Sequence, residues 1–238
     1  MRSIAGLLGV QIAVADFSTL SHRSNGLALR TARKPGSGKP VHLVVDSADL
    51  RISGEGDWLE EKHKKNRKRR SWRKLHLGLD LFRGKTVCSD LTKDDVGDPT
   101  VLPELLDQVG GSVALFLADG AYYGKPASDL LAARFGSMIE VTIPPPKNAV
   151  LSLNAAQDQT ARDRHIAEIA AQGRIAWQKA TGYNQHSRGE THMGRWKAVI
   201  GPKLKARNFE NQKTEARIGV RIVNRLTGLS RPSFERTA

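Results

Sequence analysis

The sequence predicts an α/β fold, and three observations carry that prediction. Short apolar runs recur along the chain, at residues 41–45, 113–118 and 139–143, the first of them β-branched. Segments with apolar residues at helical spacing separate them, as at Leu102, Leu105, Leu106 and Val109. After the first run come two partly alternating stretches, 74–82 and 86–91, with Arg83-Gly84 between them as a turn. Branched side chains pack well on a pleated sheet, whereas a 3.6-residue apolar period calls for a helix. A chain that interleaves the two signals covers a sheet with helices.

The elements follow in order. Met1-Arg2-Ser3 and the apolar run 4–14 have the outline of a very short signal peptide, interrupted by Gln11. The alternative is a helix over 4–8, a loop, and a second helix opening at Asp16 as its N-cap. Residues 30–40 are basic and rich in Gly, Pro and Ser, and they read as a linker or a phosphate-contacting arm. A strand over 41–45 ends at Asp46, and the two stretches after it form a hairpin. Asp98 is expected to cap a helix, with Pro99 at its first position. A strand over 113–118 ends in Asp119-Gly120, a helix covers 125–135, and a strand over 139–143 is closed by three prolines. Residues 147–182 are polar, with one helix near 161–171. A helix near 187–200 follows, then an amphipathic one with Ala216, Val220, Val223 and Leu226 on a stripe.

Composition narrows the function. Apolar residues make up 39% of the 238 and charged residues 26%, which is globular rather than disordered. Lys and Arg total 38 against 24 acids, a net charge of +14 that favours a polyanionic partner. Cys88 is the only cysteine, so there is neither a disulfide framework nor a thiolate metal site. It reads as a small buried hydrophobe in a reducing compartment. The apolar N-terminal run is too short to span a membrane.

Two carboxylates, Asp46 and Asp119, end apolar strands. If those strands are parallel neighbours, both acids project at the carboxyl edge of the sheet, where open α/β sheets bind ligands. Each Asp taken singly also fits an ordinary turn. The third acid is on a helix. At about 100° per residue, Tyr183, His186, Glu190 and Lys197 fall within a sector of roughly 60°, with Trp196, Val199 and His192 off it. One face then offers a phenol, an imidazole, a carboxylate and an ammonium; a solvated face is the other reading. Gly189 and Gly194 count against this helix by about 1 kcal/mol each relative to Ala. His42, His63, His76, His165 and His192 have no zinc spacing and read as packing or surface residues.

With these residues in place, the chain resembles the DDE transposases of bacterial insertion sequences. The resemblance is to the branch whose third acid sits in Tyr-x2-Arg-x3-Glu-x6-Lys. Tyr183, Glu190 and Lys197 match that spacing, and His186 stands where the family has Arg. Val44-Val45-Asp46-Ser47 looks like the family's first-acid strand, and Leu117-Ala118-Asp119-Gly120-Ala121-Tyr122 like its second. Gly54-Glu55-Gly56-Asp57-Trp58, Trp72-Arg73-Lys74-Leu75-His76 and the stretch from Asn211-Gln212 to Asn224-Arg225 also look like family text.

The resemblance implies a ribonuclease H-like fold. This is a mixed five-stranded sheet of order 3-2-1-4-5 flanked by helices, with a short helical insert at about 144–182 before the last catalytic helix. Residues 1–29 would be the remnant of an N-terminal helical DNA-binding region, 30–40 a basic linker and 41–238 the catalytic domain. Asp46, Asp119 and Glu190 would be catalytic and hold two Mg²⁺ or Mn²⁺ ions, which prefer oxygen ligands. Water would cut the element's end, and the freed 3′-hydroxyl would attack target DNA. Tyr183, His186 and Lys197 would hold phosphates, although a histidine lacks the bidentate fork of arginine. The implied partner is double-stranded DNA, as terminal inverted repeats and target, bound by a dimer at the bacterial nucleoid in the cytoplasm, with no membrane.

Residues 62–74 hold nine Lys or Arg and no acid, which favours DNA-backbone contact over a solvated loop. Lys64, Lys65, Arg67, Lys68, Arg69, Arg70 and Arg73 are the expected contacts. Trp72 fits either a base-stacking platform or an anchor for the loop. Two other functions share these features. One is a truncated copy that binds DNA without catalysis; the other is a ribonuclease H-like structure-specific nuclease that cuts without strand transfer.

Overall fold

Strand β1, Val41–Ile52, is the axis of the sheet. The computed structural model describes residues 6–7, 9, 16–24, 27, 39–53, 72–157 and 159–229. Helix α1 is Phe17–Ser24. After β1 come β2 (Trp72–Asp80), β3 (Lys85–Lys93) and helix α2 (Asp98–Gln108). Strand β4 (Val113–Leu117), a 3₁₀ turn (Gly120–Tyr122), α3 (Lys125–Phe135) and β5 (Glu140–Thr142) follow. Next are α4 (Ala161–Gln172), α5 (Arg174–Ala180), a 3₁₀ turn (Tyr183–His186) and α6 (Ser187–Val199). The two-residue β6 (Lys203–Leu204) and the long α7 (Phe209–Leu229) close the chain.

The sheet order is β3-β2-β1-β4-β5. β1 and β2 are antiparallel, as are β2 and β3, while β4 and β5 run parallel to β1. This is the mixed, helix-flanked sheet that the resemblance implies, with the short β6 added beside β1. Side chains alternate along β1, as the pleat requires. Val41, Leu43 and Val45 pack with α2 residues Leu102, Leu105 and Leu106 and with Leu131 of α3. Leu50 faces the opposite layer, where Met193 and Trp196 of α6 meet Ala216, Val220 and Val223 of α7. Burying each such aliphatic side chain is worth about 1.5–3 kcal/mol. Gly219 lets α7 approach α6, since a Cβ there would stand 2.9 Å from the Trp196 indole nitrogen.

Several boundaries differ from expectation. β1 does not stop at Asp46 but runs on to Ile52, because β2 pairs with it as far as Arg51. The N-cap of α2 is Gly97, which leaves Asp98 in the first turn. There its carboxylate lies 3.1 Å from Lys74 Nζ and 3.6 Å from His76 Nδ1. Helix α5 and strand β6 were not expected. Leu226 stays exposed at the edge of the α7 stripe, and Thr227 is buried instead. Asp16 does cap α1, its Oδ1 accepting the Thr19 backbone N–H at 2.7 Å. The apolar run 4–14 and the linker 30–40 lie almost wholly outside the described residues. No helix among the described residues is long and apolar enough to cross a membrane.

Candidate active site

Asp46 lies within β1, and the pairing around it opens a notch. β4 follows β1 only as far as Val44↔Leu117. Continuing that register two residues sets Asp119 level with Asp46. β2 occupies one edge of β1 throughout, so β6, pairing at Arg51 and Ile52, lies on the β4 side. Between β4 and β6 the edge of β1 carries no strand partner among the described residues, and Asp46 sits at the mouth of this gap. Asp119 caps the 3₁₀ turn that ends β4, its Oδ1 accepting the Ala121 N–H at 3.0 Å. Both acids therefore come to one place at the carboxyl end of β4, Asp46 from within β1 and Asp119 from the turn that follows the adjacent parallel strand.

Glu190 reaches the same place from the first turn of α6. The helix crosses β1 closely at Gly189, where a Cβ would lie 3.1 Å from Val44 Cγ1 and 3.4 Å from Asp46 Cβ. Burial pushes the Asp46 carboxyl above its ordinary range. The Ser47 backbone N–H, 2.8 Å from Oδ1, and the His186 imidazole pull it back, while the Asp119 and Glu190 carboxylates raise it further. Thus three acids from distant segments share one electrostatic field. Asp46 and Asp119 are half-buried, whereas Glu190 is exposed.

The tetrad on the helix face is rearranged. Tyr183 and His186 belong to the 3₁₀ turn before α6, where residues three apart eclipse each other. Their rings stack with centroids 5.3 Å apart and planes 15° from parallel. His186 is buried at 7% exposure, and its Nε2 has no hydrogen-bond partner among the described residues. It is not on an open face, as a uniform 100° step implies; it lies beneath Tyr183 and close enough to favour the ionised form of Asp46. Burial lifts the Tyr183 phenol to about 12, helped by Asp119, Asp46 and Glu190 and opposed by Arg174. Lys197 is half-exposed two turns beyond Glu190, about 10 Å along the helix axis. Of the residues placed off the sector, Trp196 and His192 are buried, but Val199 is exposed.

The neighbourhood contains residues that sequence reasoning missed. Tyr122 is buried, its hydroxyl without a hydrogen-bond partner among the described residues, and its phenol is held well above the ordinary range by burial, then by Asp98, Asp119 and Asp46. Trp177 of α5 packs on Tyr183, with ring centroids 5.4 Å apart. A bulky aromatic six residues ahead of Tyr183, in an otherwise polar stretch, was the available signal.

Of the basic run, only residues 72–74 are among the described residues. Lys64, Lys65, Arg67, Lys68, Arg69 and Arg70 are outside the described residues. Trp72 opens β2, with the Arg51 guanidinium 5.3 Å from its ring centroid. Arg73 is turned inward: its Nε donates to Gln212 Oε1 at 2.9 Å, Nη1 donates to the Trp72 carbonyl, and its guanidinium lies 5.2 Å from the Phe209 ring centroid.

The donor set suits a hard divalent cation, which takes carboxylate oxygens and relieves the mutual repulsion that raises Asp46. Among the described residues, no three His, Cys, Asp or Glu side chains converge closely enough to hold one ion. Asp46 and Asp119 are half-buried at this edge, and Glu190 is the exposed member of the three. A family model described as a transposase DDE domain matches residues 37–225 of the chain, and a second model of the same description matches residues 1–55.

Proposed function

This chain belongs to the transposase DDE domain family, and on that footing we propose that it cuts and rejoins DNA strands at the ends of an insertion sequence. The supporting observation is the notch beside β1, where Asp46 and Asp119 are level in register and the Asp119 and Glu190 carboxylates both act on the Asp46 carboxyl. In this reading these three residues would hold two divalent ions, Mg²⁺ or Mn²⁺. Bound there, such ions supply charge neutralisation at the phosphoryl oxygens and make an attacking oxygen nucleophilic at neutral pH.

The chain's own residues do the rest. β1 is paired along its length by β2 and Asp119 caps its own turn, so two of the acids are placed by the sheet. Glu190 rides on α6 and completes the set from the exposed side. Tyr183 and Lys197 face the DNA backbone as hydrogen-bond donor and point charge. His186, being buried, acts toward Asp46 more directly than toward a phosphate, and favours its ionised form. The net charge of +14 provides the sequence-independent part of DNA affinity. Pairing two element ends calls for two copies of the chain on DNA.

Asp46→Asn, Asp119→Asn and Glu190→Gln should each abolish metal-dependent cleavage of end DNA and leave DNA binding near wild type. A variant that still cuts removes that acid from the site. Incubating a labelled pre-cut end with target plasmid separates strand transfer from hydrolysis. Cutting without joining would make the protein a nuclease alone.

A further inference from the structure

We propose that Trp177 is a positioning residue: held by His165, it sets the tilt of Tyr183 and, through that ring, the placement of His186 beside Asp46. The inference rests on the reading of this cleft as the catalytic one and adds to it the residue that orients its aromatic wall.

The backbone holds Tyr183 weakly. Gly182 is in the left-handed region at φ +68°, and the next four residues form a 3₁₀ turn, whose hydrogen bonds are poorer than those of an α-helix. The N-cap residues of that turn and of α6, Gly182 and His186, make no side-chain cap bond. A row of rings supplies what the backbone lacks. The His165 Nε2 donates to the Val141 carbonyl of β5 at 3.1 Å, so its Nδ1 is free to accept the Trp177 indole N–H, also at 3.1 Å. These two bonds select one tautomer and one orientation of the imidazole. Trp177 is 1% exposed and meets the His165 ring edge-on, with centroids 5.6 Å apart. Its other neighbour is Tyr183, at 5.4 Å and 33°, and Tyr183 in turn stacks on His186. Aromatic pairs prefer defined offsets, so each ring constrains the next. The row runs from the edge strand of the sheet to the acid on its central strand.

Mere filling of the insert's core predicts something different, because volume alone would then matter. Trp177→Leu keeps much of the volume and loses the ring; Trp177→Phe keeps a ring and loses the donor. Cleavage of end DNA at saturating concentration should fall on the order of tenfold or more in Trp177→Leu. Trp177→Phe should restore part of the loss, with DNA affinity changed less than twofold in both. In a Tyr183→Leu background the Trp177→Leu effect should vanish, since a residue acting through Tyr183 cannot add to its loss. An effect that multiplies undiminished in that background, or a folded Trp177→Leu protein that cuts at the wild-type rate, overturns the proposal. If Trp177→Leu does not fold, His165→Leu decides, because it leaves the indole in place without its acceptor, and the same cycle with Tyr183→Leu applies.

A readout without DNA keeps this separate from the function itself. The Trp177 indole N–H resonance, assigned by its absence in Trp177→Phe, should exchange slowly and shift in Tyr183→Leu and His165→Leu. Wild-type protein that cuts no DNA while these shifts appear sinks the proposed function and leaves the ring row standing. An indole signal indifferent to both substitutions sinks the ring row, whatever the activity.

Discussion

Gly189 of α6 rests on Asp46 of β1, where a Cβ at position 189 would come within 3.5 Å of the Asp46 Oδ2 and 3.1 Å of Val44 Cγ1. Glycine costs a helix about 1 kcal/mol relative to alanine, and here that cost permits the close crossing that brings Glu190 to Asp46. Gly189→Ala should gain helix propensity, lose about as much to the clash with Val44, and unfold within about 1 kcal/mol of wild type. Cleavage should nevertheless drop by about tenfold, because the two acids move apart. Gly189→Val should lose both stability and activity. Full cleavage by the valine variant would show that the crossing distance is immaterial.

His192 ties stability to pH. Burial, with a smaller contribution from Arg195, depresses this imidazole to about 4, and its Nε2 pairs with Thr86 Oγ1 at 2.8 Å. The unfolded chain takes up the proton near 6.5, so below that pH unfolding is favoured, progressively down to about 4. His76, also depressed chiefly by burial, acts in the same direction. Asp46, whose carboxyl is raised, opposes them. The urea midpoint should therefore fall from pH 7 to pH 5, with His192 contributing on the order of 2 kcal/mol at most. His192→Asn should flatten that decline; an unchanged slope would remove His192 as its source.

Gly78 of β2 faces Cys88 of β3 across the ladder. An added Cβ would lie 2.2 Å from the Cys88 sulfur and 3.0 Å from Leu43 Cδ1. Gly78→Ala should destabilise the protein by about 1–3 kcal/mol, as overpacking does. Cys88→Ala frees that space, so the double variant should cost less than the sum of the singles. Strict additivity by chemical denaturation would argue against this close approach as the cause.

The basic run is testable without its structure. Replacing Lys64, Lys65, Arg67 and Lys68 with Ala should weaken binding to all DNA sequences alike. Every phosphate that the variant no longer neutralises should lower the slope of log K against log salt by about 0.9 in magnitude. Equal slopes for wild type and variant would make the run a solvated loop.

Local pattern was enough to find the framework. The apolar runs before Asp46 and Asp119 identify two strands because a short continuous apolar run bounded by polar or turn residues marks a buried strand regardless of partners. The spacing of Tyr183, Glu190 and Lys197 points to one functional segment, and Asp16 announces its helix because capping links residues three apart. What the tertiary structure alone decided is non-local. β1 continues through the polar Asp46–Asp49 stretch because β2 and then β6 pair with it, and those partners are distant in the chain. His186 turns inward because a 3₁₀ turn eclipses it under Tyr183, where an α-helical step would have set it outward. Gly189 reads locally as a weakness of its helix, and only the strand beneath it makes it a requirement. Propensity and spacing act within a few residues, whereas the cleft is made by segments about 70 residues apart, whose relative geometry packing sets.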